Sequence, residues 1–183
     1  MMYGIKRLLI RIVFHYILHD SGKCAQKLGV KIGSGCKILD DPGKVFGSEP
    51  WLVSIGDNCE ITNGVRIITH EGGLWVARNM SDELRNSDIF IPVTIGNNVM
   101  IGNYSLLMPG VRIGDNVIIG GHSVVTHDLD NNGVYAGAPA RKISSIEDFI
   151  EKVKKTTNRY NTKGLSQDQK MRVVLDEIKG EKQ

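Results

Sequence analysis

Through the second half of the chain, aliphatic side chains recur at every sixth position: Ile89, Ile95, Ile101, Leu107, Ile113, Ile119 and Val125. Four of these (Ile95, Ile101, Ile113 and Ile119) are followed at once by Gly. The fifth place of each unit is restricted as well, to Val93, Val99, Ser105, Val111, Val117 and Ser123. Such a period fits neither the helical repeat of about 3.6 nor the simple alternation of a half-buried strand. It marks a parallel β-helix, in which three six-residue units close one turn of about eighteen residues. The aliphatic residue is expected to fill the coil interior, with the small or β-branched fifth residue beside it. Gly and Asn at the corners permit backbone angles that a Cβ resists.

The same phase runs upstream through Ile32, Ile38, Ile55, Ile61 and Ile67, with Cys36, Cys59 and Val65 in the fifth place. It breaks twice, from Asp40 to Leu52 and from Thr69 to Asp88. A solenoid admits an insertion as a loop thrown out from one corner. Loops of this length in compact domains are more often functional than idle, and His70 stands at the root of the second. The pattern therefore divides the chain into an N-terminal helical cap over 1–27, an all-β solenoid over 28–144 with an extruded loop at 69–88, and a helical tail over 145–183. Two N-terminal capping patterns mark the tail helices, Ser145-x-x-Asp148 and Ser166-x-x-Gln169.

The N-terminal helix is apolar from Leu8 to Leu18 but includes Arg11 and His15. It is shorter than the ~20 apolar residues of a spanning helix, so no transmembrane segment is expected. No small-residue cleavage site follows it, so no signal peptide is expected either. Covering the open end of the solenoid is the first reading of this helix. Peripheral membrane contact, with Lys6, Arg7 and Arg11 meeting acidic head groups, is the sharper alternative.

Charge sharpens this division. Residues 1–31 carry six Lys/Arg and one acid, residues 32–140 six and twelve, and residues 141–183 eleven and seven. An acidic solenoid thus has basic ends, suited to phosphates, other subunits or an anionic membrane. The Cys number three, and Cys36 and Cys59, both at inward repeat positions, read as small buried hydrophobes rather than a disulfide or a metal set, which makes a reducing cytoplasm the expected compartment. Aromatics are few and basic residues form no readable motif, so no nucleic-acid partner is expected.

The repeats, the loop extruded after Thr69-His70, and the closing stretches Gly120-Gly121-His122-Ser123-Val124-Val125-Thr126 and Ala136-Gly137-Ala138-Pro139-Ala140-Arg141-Lys142 together resemble one family. It is the hexapeptide-repeat acyltransferases, whose fold is a left-handed parallel β-helix. Within it the chain is similar to galactoside and maltose O-acetyltransferases and to O-acetyltransferases of bacterial surface-polysaccharide pathways. The resemblance implies acetyl-coenzyme A as donor, a sugar hydroxyl as acceptor, and a homotrimer with each active site in the groove between two solenoids.

Moving an acetyl group from a thioester to a hydroxyl needs a base, donors for the oxyanion, and a cradle for the donor. Histidine is the usual base. The family's catalytic histidine matches His70. Glu49 precedes it by about one coil plus a few looped-out residues and is a candidate to orient it. Glu71 is the adjacent alternative, although neighbours along a strand point to opposite faces. The resemblance places the Asn103 amide as oxyanion donor and Gly102 where the thioester approaches. It places Gly121, Ser123, Thr126, Arg141 and Lys142 along the coenzyme A. Glu71 and Trp75 of the loop are expected to meet the acceptor. His127 stands where Lys is common, and Met100 replaces a frequent aromatic. No metal is expected.

Three other readings compete. An N-acyltransferase of an amino or nucleotide sugar shares the scaffold and the base. A γ-class carbonic anhydrase shares the solenoid, and His122 and His127 have its spacing for two zinc ligands. However, His122 sits three places after Ile119 rather than two, and the pair lies on the final coil. A non-catalytic scaffold would leave His70 and the donor-end motif without a purpose.

Overall fold

The computed structural model describes residues 2–180. Thirteen short strands lie among them: β1 (Lys31–Ile32), β2 (Lys37–Ile38), β3 (Val53–Ile55), β4 (Glu60–Ile61), β5 (Arg66–Ile67), β6 (Val93–Ile95) and β7 (Met100–Ile101). There follow β8 (Leu106–Leu107), β9 (Arg112–Ile113), β10 (Val117–Ile119), β11 (Val124–Val125), β12 (Gly133–Ala136) and β13 (Arg141–Ser145). They form three sheets, β1-β3-β6-β9, β2-β4-β7-β10-β12-β13 and β5-β8-β11, and the chain from β3 to β11 visits the three in rotation. Every pairing is parallel except β12 with β13.

The register is the repeat made visible. Ile38, Ile61, Ile101, Ile119 and Tyr135 stand above one another in the second sheet. Ile32, Ile55, Ile95 and Ile113 do so in the first, and Ile67, Leu107 and Val125 in the third. Most of these side chains are buried, and so are the fifth-place Val93, Val99, Ser105, Val111, Val117 and Ser123. Full burial of one such aliphatic side chain contributes about 1.5–3 kcal/mol. Ile89 departs from the pattern. It is aliphatic and in phase, yet 43% exposed, because the loop still holds the chain away from the coil there.

The corners are fixed by a ladder of side-chain-to-backbone bonds. Asp57 accepts from the Ser34 N–H (2.6 Å), Asn97 from that of Asp57 (2.9 Å), Asp115 from that of Asn97 (2.6 Å), and Asn131 from that of Asp115 (2.7 Å). Beside it Asn58, Asn98, Asn116 and Asn132 take positive φ, which Asn tolerates better than most residues.

Six α-helices lie among the described residues: α1 (Met2–Ile10), α2 (Ser21–Leu28), α3 (Pro42–Val45), α4 (Leu74–Met80), α5 (Ile146–Lys154) and α6 (Gln167–Gly180). A π-helical stretch, Arg11–Ile17, continues α1. His19 lies beyond it at φ 52°, so His15 and His19 do not share one helix. Asp20 caps α2 by accepting from the Lys23 N–H (2.8 Å), and α2 buries Cys24, Ala25 and Leu28. The first break of the repeat contains α3, and Val45 and Phe46 fill core space there. The second contains α4. Its root is closed by an antiparallel bridge between His70 and Phe90, flanked by bonds from the Glu71 N–H to the Ile89 carbonyl (3.1 Å) and from the Ile91 N–H to the Thr69 carbonyl (2.8 Å).

Residues 147–183 form a separate compact unit. Within it Ser166 and Gln169 cap α6 reciprocally: the Ser166 N–H donates to Gln169 Oε1 (2.9 Å), and the Gln169 N–H to Ser166 Oγ (3.3 Å). Ser145 is the last residue of β13, and α5 begins at the next position.

Candidate active site

Coil and insertion meet at His70. Its Nδ1 lies 2.9 Å from Glu49 Oε2, and Thr69 Oγ1 donates to the same oxygen at 3.1 Å. Thr69 is buried, Glu49 is nearly so, and the His70 side chain is 47% exposed. Glu49 therefore comes from the first break of the repeat and His70 from the edge of the second, about one turn apart in the stack. Glu71, the adjacent carboxylate, turns away and accepts from the Gly73 N–H (2.7 Å).

Burial alone would push the Glu49 carboxyl up. Hydrogen bonds from Ser48, His70 and Thr69 outweigh it and hold the carboxyl below its ordinary range. An ionised carboxylate accepts only, so His70 Nδ1 carries the proton in this pair. In the neutral ring Nε2 is then the basic nitrogen.

Two cavities share Ser48, Glu49 and His70. One, about 170 Å³, is walled by Val45, Phe46, Ile67, Ile68 and Leu106. The other, about 290 Å³, lies under the extruded loop and is lined by Glu71, Trp75, Arg78, Asp88 and Phe90. Trp75 is 73% exposed and Phe90 is more than half exposed, while Arg78 is tied to Asp88 and to the Ser87 carbonyl. The second cavity thus offers open aromatic surface and carboxylates beside a basic imidazole.

The remaining expected site residues lie elsewhere, and neither cavity includes any of them. Gly102 follows β7 directly, and Asn103 opens the turn that it shares with Tyr104. Among the described residues, nothing accepts the Asn103 N–H. Gly102 is demanded by the coil itself: an added Cβ would lie 2.5 Å from the Gly121 nitrogen and 2.8 Å from the Ile119 carbonyl oxygen. Ser123 is fully buried. Its hydroxyl donates to the Gly120 carbonyl (2.6 Å) and accepts from the Gly137 N–H (3.2 Å), so it faces the coil interior rather than a surface ligand. Thr126, Arg141 and Lys142 are exposed, and Gly121 lies at a corner of the final turn. Arg141 Nη1 lies 3.4 Å from His127 Nδ1 and donates to the Ala140 carbonyl (2.9 Å).

His122 and His127 take up different partners. His122 stacks on Tyr104 with ring centroids 5.2 Å apart, and His127 faces Thr126 and Arg141. Among the described residues, no three His, Cys, Asp or Glu side chains are grouped to hold a metal ion. The sequence marked Thr69 only as the residue before His70 and assigned it no role. Its signal is its place next to His70 at a coil end, where one residue turns inward and the next outward.

Residues 92–127 match the family described as bacterial transferase hexapeptide (six repeats). The chain is 41% identical over 174 residues to Protein CapG of Staphylococcus aureus, covering 95% of this chain and 96% of that one. It is 41% identical over 102 residues to the galactoside O-acetyltransferase of Escherichia coli K12, covering 55% of this chain and 47% of that protein. Among solved structures, the maltose O-acetyltransferase of Clostridium difficile 630 superposes with a TM-score of 0.55 at 26% identity, over 79% of this chain and 84% of that one. The rotation through three parallel sheets, the six-residue register and the near full-length likeness to CapG agree: the chain belongs to the hexapeptide-repeat acyltransferase family.

Proposed function

We propose that the protein transfers an acetyl group from acetyl-coenzyme A to a sugar hydroxyl, in the building of a bacterial surface polysaccharide. The observation that carries this reading is the Thr69–Glu49–His70 arrangement opening into an aromatic-walled cavity. Two similar proteins are named as O-acetyltransferases of galactosides and of maltose, and both names denote sugar acceptors. In this reading the three-sheet coil winds left-handed, as in the family.

His70 Nε2 takes the acceptor hydroxyl proton as that oxygen attacks the thioester carbonyl. Glu49 stabilises the imidazolium that forms. The Asn103 N–H, without an acceptor of its own among the described residues, is the donor for the oxyanion. Collapse of the tetrahedral intermediate breaks the C–S bond, and the leaving thiolate regains its proton from His70. Gly121 and Thr126 lie along the donor, and Arg141 and Lys142 are exposed cations suited to its phosphates. Since Asn103 and these donor-end residues line neither cavity beside His70, a site joining them is built between two chains of a homotrimer. Trp75 and Glu71 then face the acceptor.

The test is acetyl-coenzyme A turnover against a panel of sugar hydroxyl and amino-sugar acceptors. An oligosaccharide or glycoside hydroxyl is expected to be acetylated, and His70→Ala to lower turnover by about 10²–10⁴-fold with fold and donor affinity intact. Acetylation of amino sugars alone, or a His70→Ala variant of near-native turnover, overturns the assignment.

A further inference from the structure

The N-terminal helical segment is inside out. On a water-soluble body an amphipathic helix turns its apolar stripe inward and its charges outward. Here the arginines face the body. Arg7 donates to the Ser48 carbonyl (2.7 Å) and to that of Gly47, and Arg11 forms a two-pronged ion pair with the buried Asp41 carboxylate. Tyr16 also donates to Asp41, at 2.9 Å. These bonds fix the rotation of the segment. They leave Ile5, Leu8, Leu9, Ile12, Val13 and Ile17 between 40% and 62% exposed, spaced three, four or one apart along one side.

Charge selects what covers this stripe. Residues 1–19 contain Lys6, Arg7 and Arg11 and no Asp or Glu. Arg11 is paired with Asp41 and Arg7 is turned to the body, so Lys6 is the exposed cation beside the stripe, and a second copy of the same segment brings no carboxylate to meet it. An anionic lipid surface supplies the missing sign, and its acyl layer takes the aliphatic side chains. Among the described residues no helix is long and apolar enough to cross a membrane, and an apolar stripe along one side of a helix suits the plane of the interface.

We infer that the segment from Ile5 to Leu18 docks the protein on an anionic membrane surface, aliphatic face down, with Arg7 and Arg11 holding the segment to the coil body. The inference is independent of the acyl acceptor, and its test does not read activity.

The experiment is flotation of the full chain with phosphatidylcholine vesicles and with vesicles of phosphatidylcholine and phosphatidylglycerol in a ratio of about 7:3, chosen for their negative surface potential. The wild type is expected to float with the mixed vesicles and to bind the neutral ones more weakly. The double variant Leu8→Glu/Ile12→Glu places carboxylates on the exposed face, and its bound fraction should fall by about tenfold or more. Lys6→Glu should weaken binding to the mixed vesicles only. Thermal unfolding establishes that the variants fold, and Leu8→Gln/Leu9→Gln replaces the double variant should it fail to do so. A wild type that stays soluble with both vesicles overturns the inference. So does a folded double variant that binds as the wild type does. Loss of oligomer mass in the double variant, with no vesicle binding by the wild type, assigns the stripe to a protein partner instead.

Discussion

Around His70, three residues divide one task. His70 carries the basic nitrogen, Glu49 fixes the tautomer, and Thr69 holds Glu49 through the same oxygen that meets the imidazole. Thr69→Val keeps the shape and removes that donor. The Glu49 carboxyl should then rise toward its ordinary range, and its orienting charge should be lost at a higher pH as the solution is acidified. Since a hydrogen bond to a charged group is worth about 1.5–3 kcal/mol, we expect kcat to fall by roughly tenfold with KM little changed. The titration profile of the Glu49 carboxyl, followed by NMR, should move upward, and Thr69→Ser should restore both. A fall in thermal stability with an unchanged profile would reduce Thr69 to a packing residue. The contact of Glu49 with His70 was legible in the sequence because the spacing between them is about one coil plus a loop, and stacked coils convert such a spacing into contact; His70 itself stood out through the family resemblance. Ser123 and Gly102 were legible only as positions. A repeat shows that a small residue is needed there, but the same Ser or Gly serves an interior hydrogen bond or a ligand equally well in one dimension.

At the level of elements, the repeat announces its own interruptions and says little about what fills them. The helix α3, the bridge at the root of the loop and the antiparallel β13 all lie where the aliphatic rule lapses, and their cores use residues out of phase with it, such as Val45 and Phe46. The Ser166–Gln169 cap was legible because capping depends on two residues three apart and on nothing distant. The anchor joining the N-terminal segment to α3 depends on Asp41, which also caps that helix by accepting from the Gly43 N–H (2.9 Å). Burial would push the Asp41 carboxyl up. Bonds from Arg11, Gly43 and Tyr16 outweigh that and hold it down at about 2. A carboxyl depressed in the folded state adds stability above its unfolded value, about 3.9, and loses it as the pH falls through the folded value. Asp41→Asn, which leaves Arg11 without its carboxylate, should therefore destabilise the protein by about 3 kcal/mol near neutrality. The gap between variant and wild type should narrow between about pH 4 and pH 2. Urea unfolding of both across that range reads it directly, and a gap independent of pH would assign the anchor to packing.

For the whole molecule, the proposed shared site requires neighbours, and equilibrium sedimentation at micromolar protein should give three chains per particle. A fully active monomer would end that model. The parallel stack itself was the most legible level of all, since each turn repeats the last and a single periodicity dictates the core of every turn. What no turn dictates is how many there are. Each leaves an unpaired strand edge on which an identical turn fits, the condition under which extended chains assemble without limit. Here β13 lies across the edge of β12 in the opposite direction, with Tyr135 opposite Lys142 and Ala136 opposite Arg141. A reversed strand offers the next parallel turn the wrong pattern of donors and acceptors, and it carries two cations on the outermost rung. That short hairpin is a chain terminator in the polymer chemist's sense. Ending the protein at Ala140 should convert a particle of fixed mass into one that grows with concentration, visible as rising light scattering, and soluble particles of constant mass would show that another element sets its length.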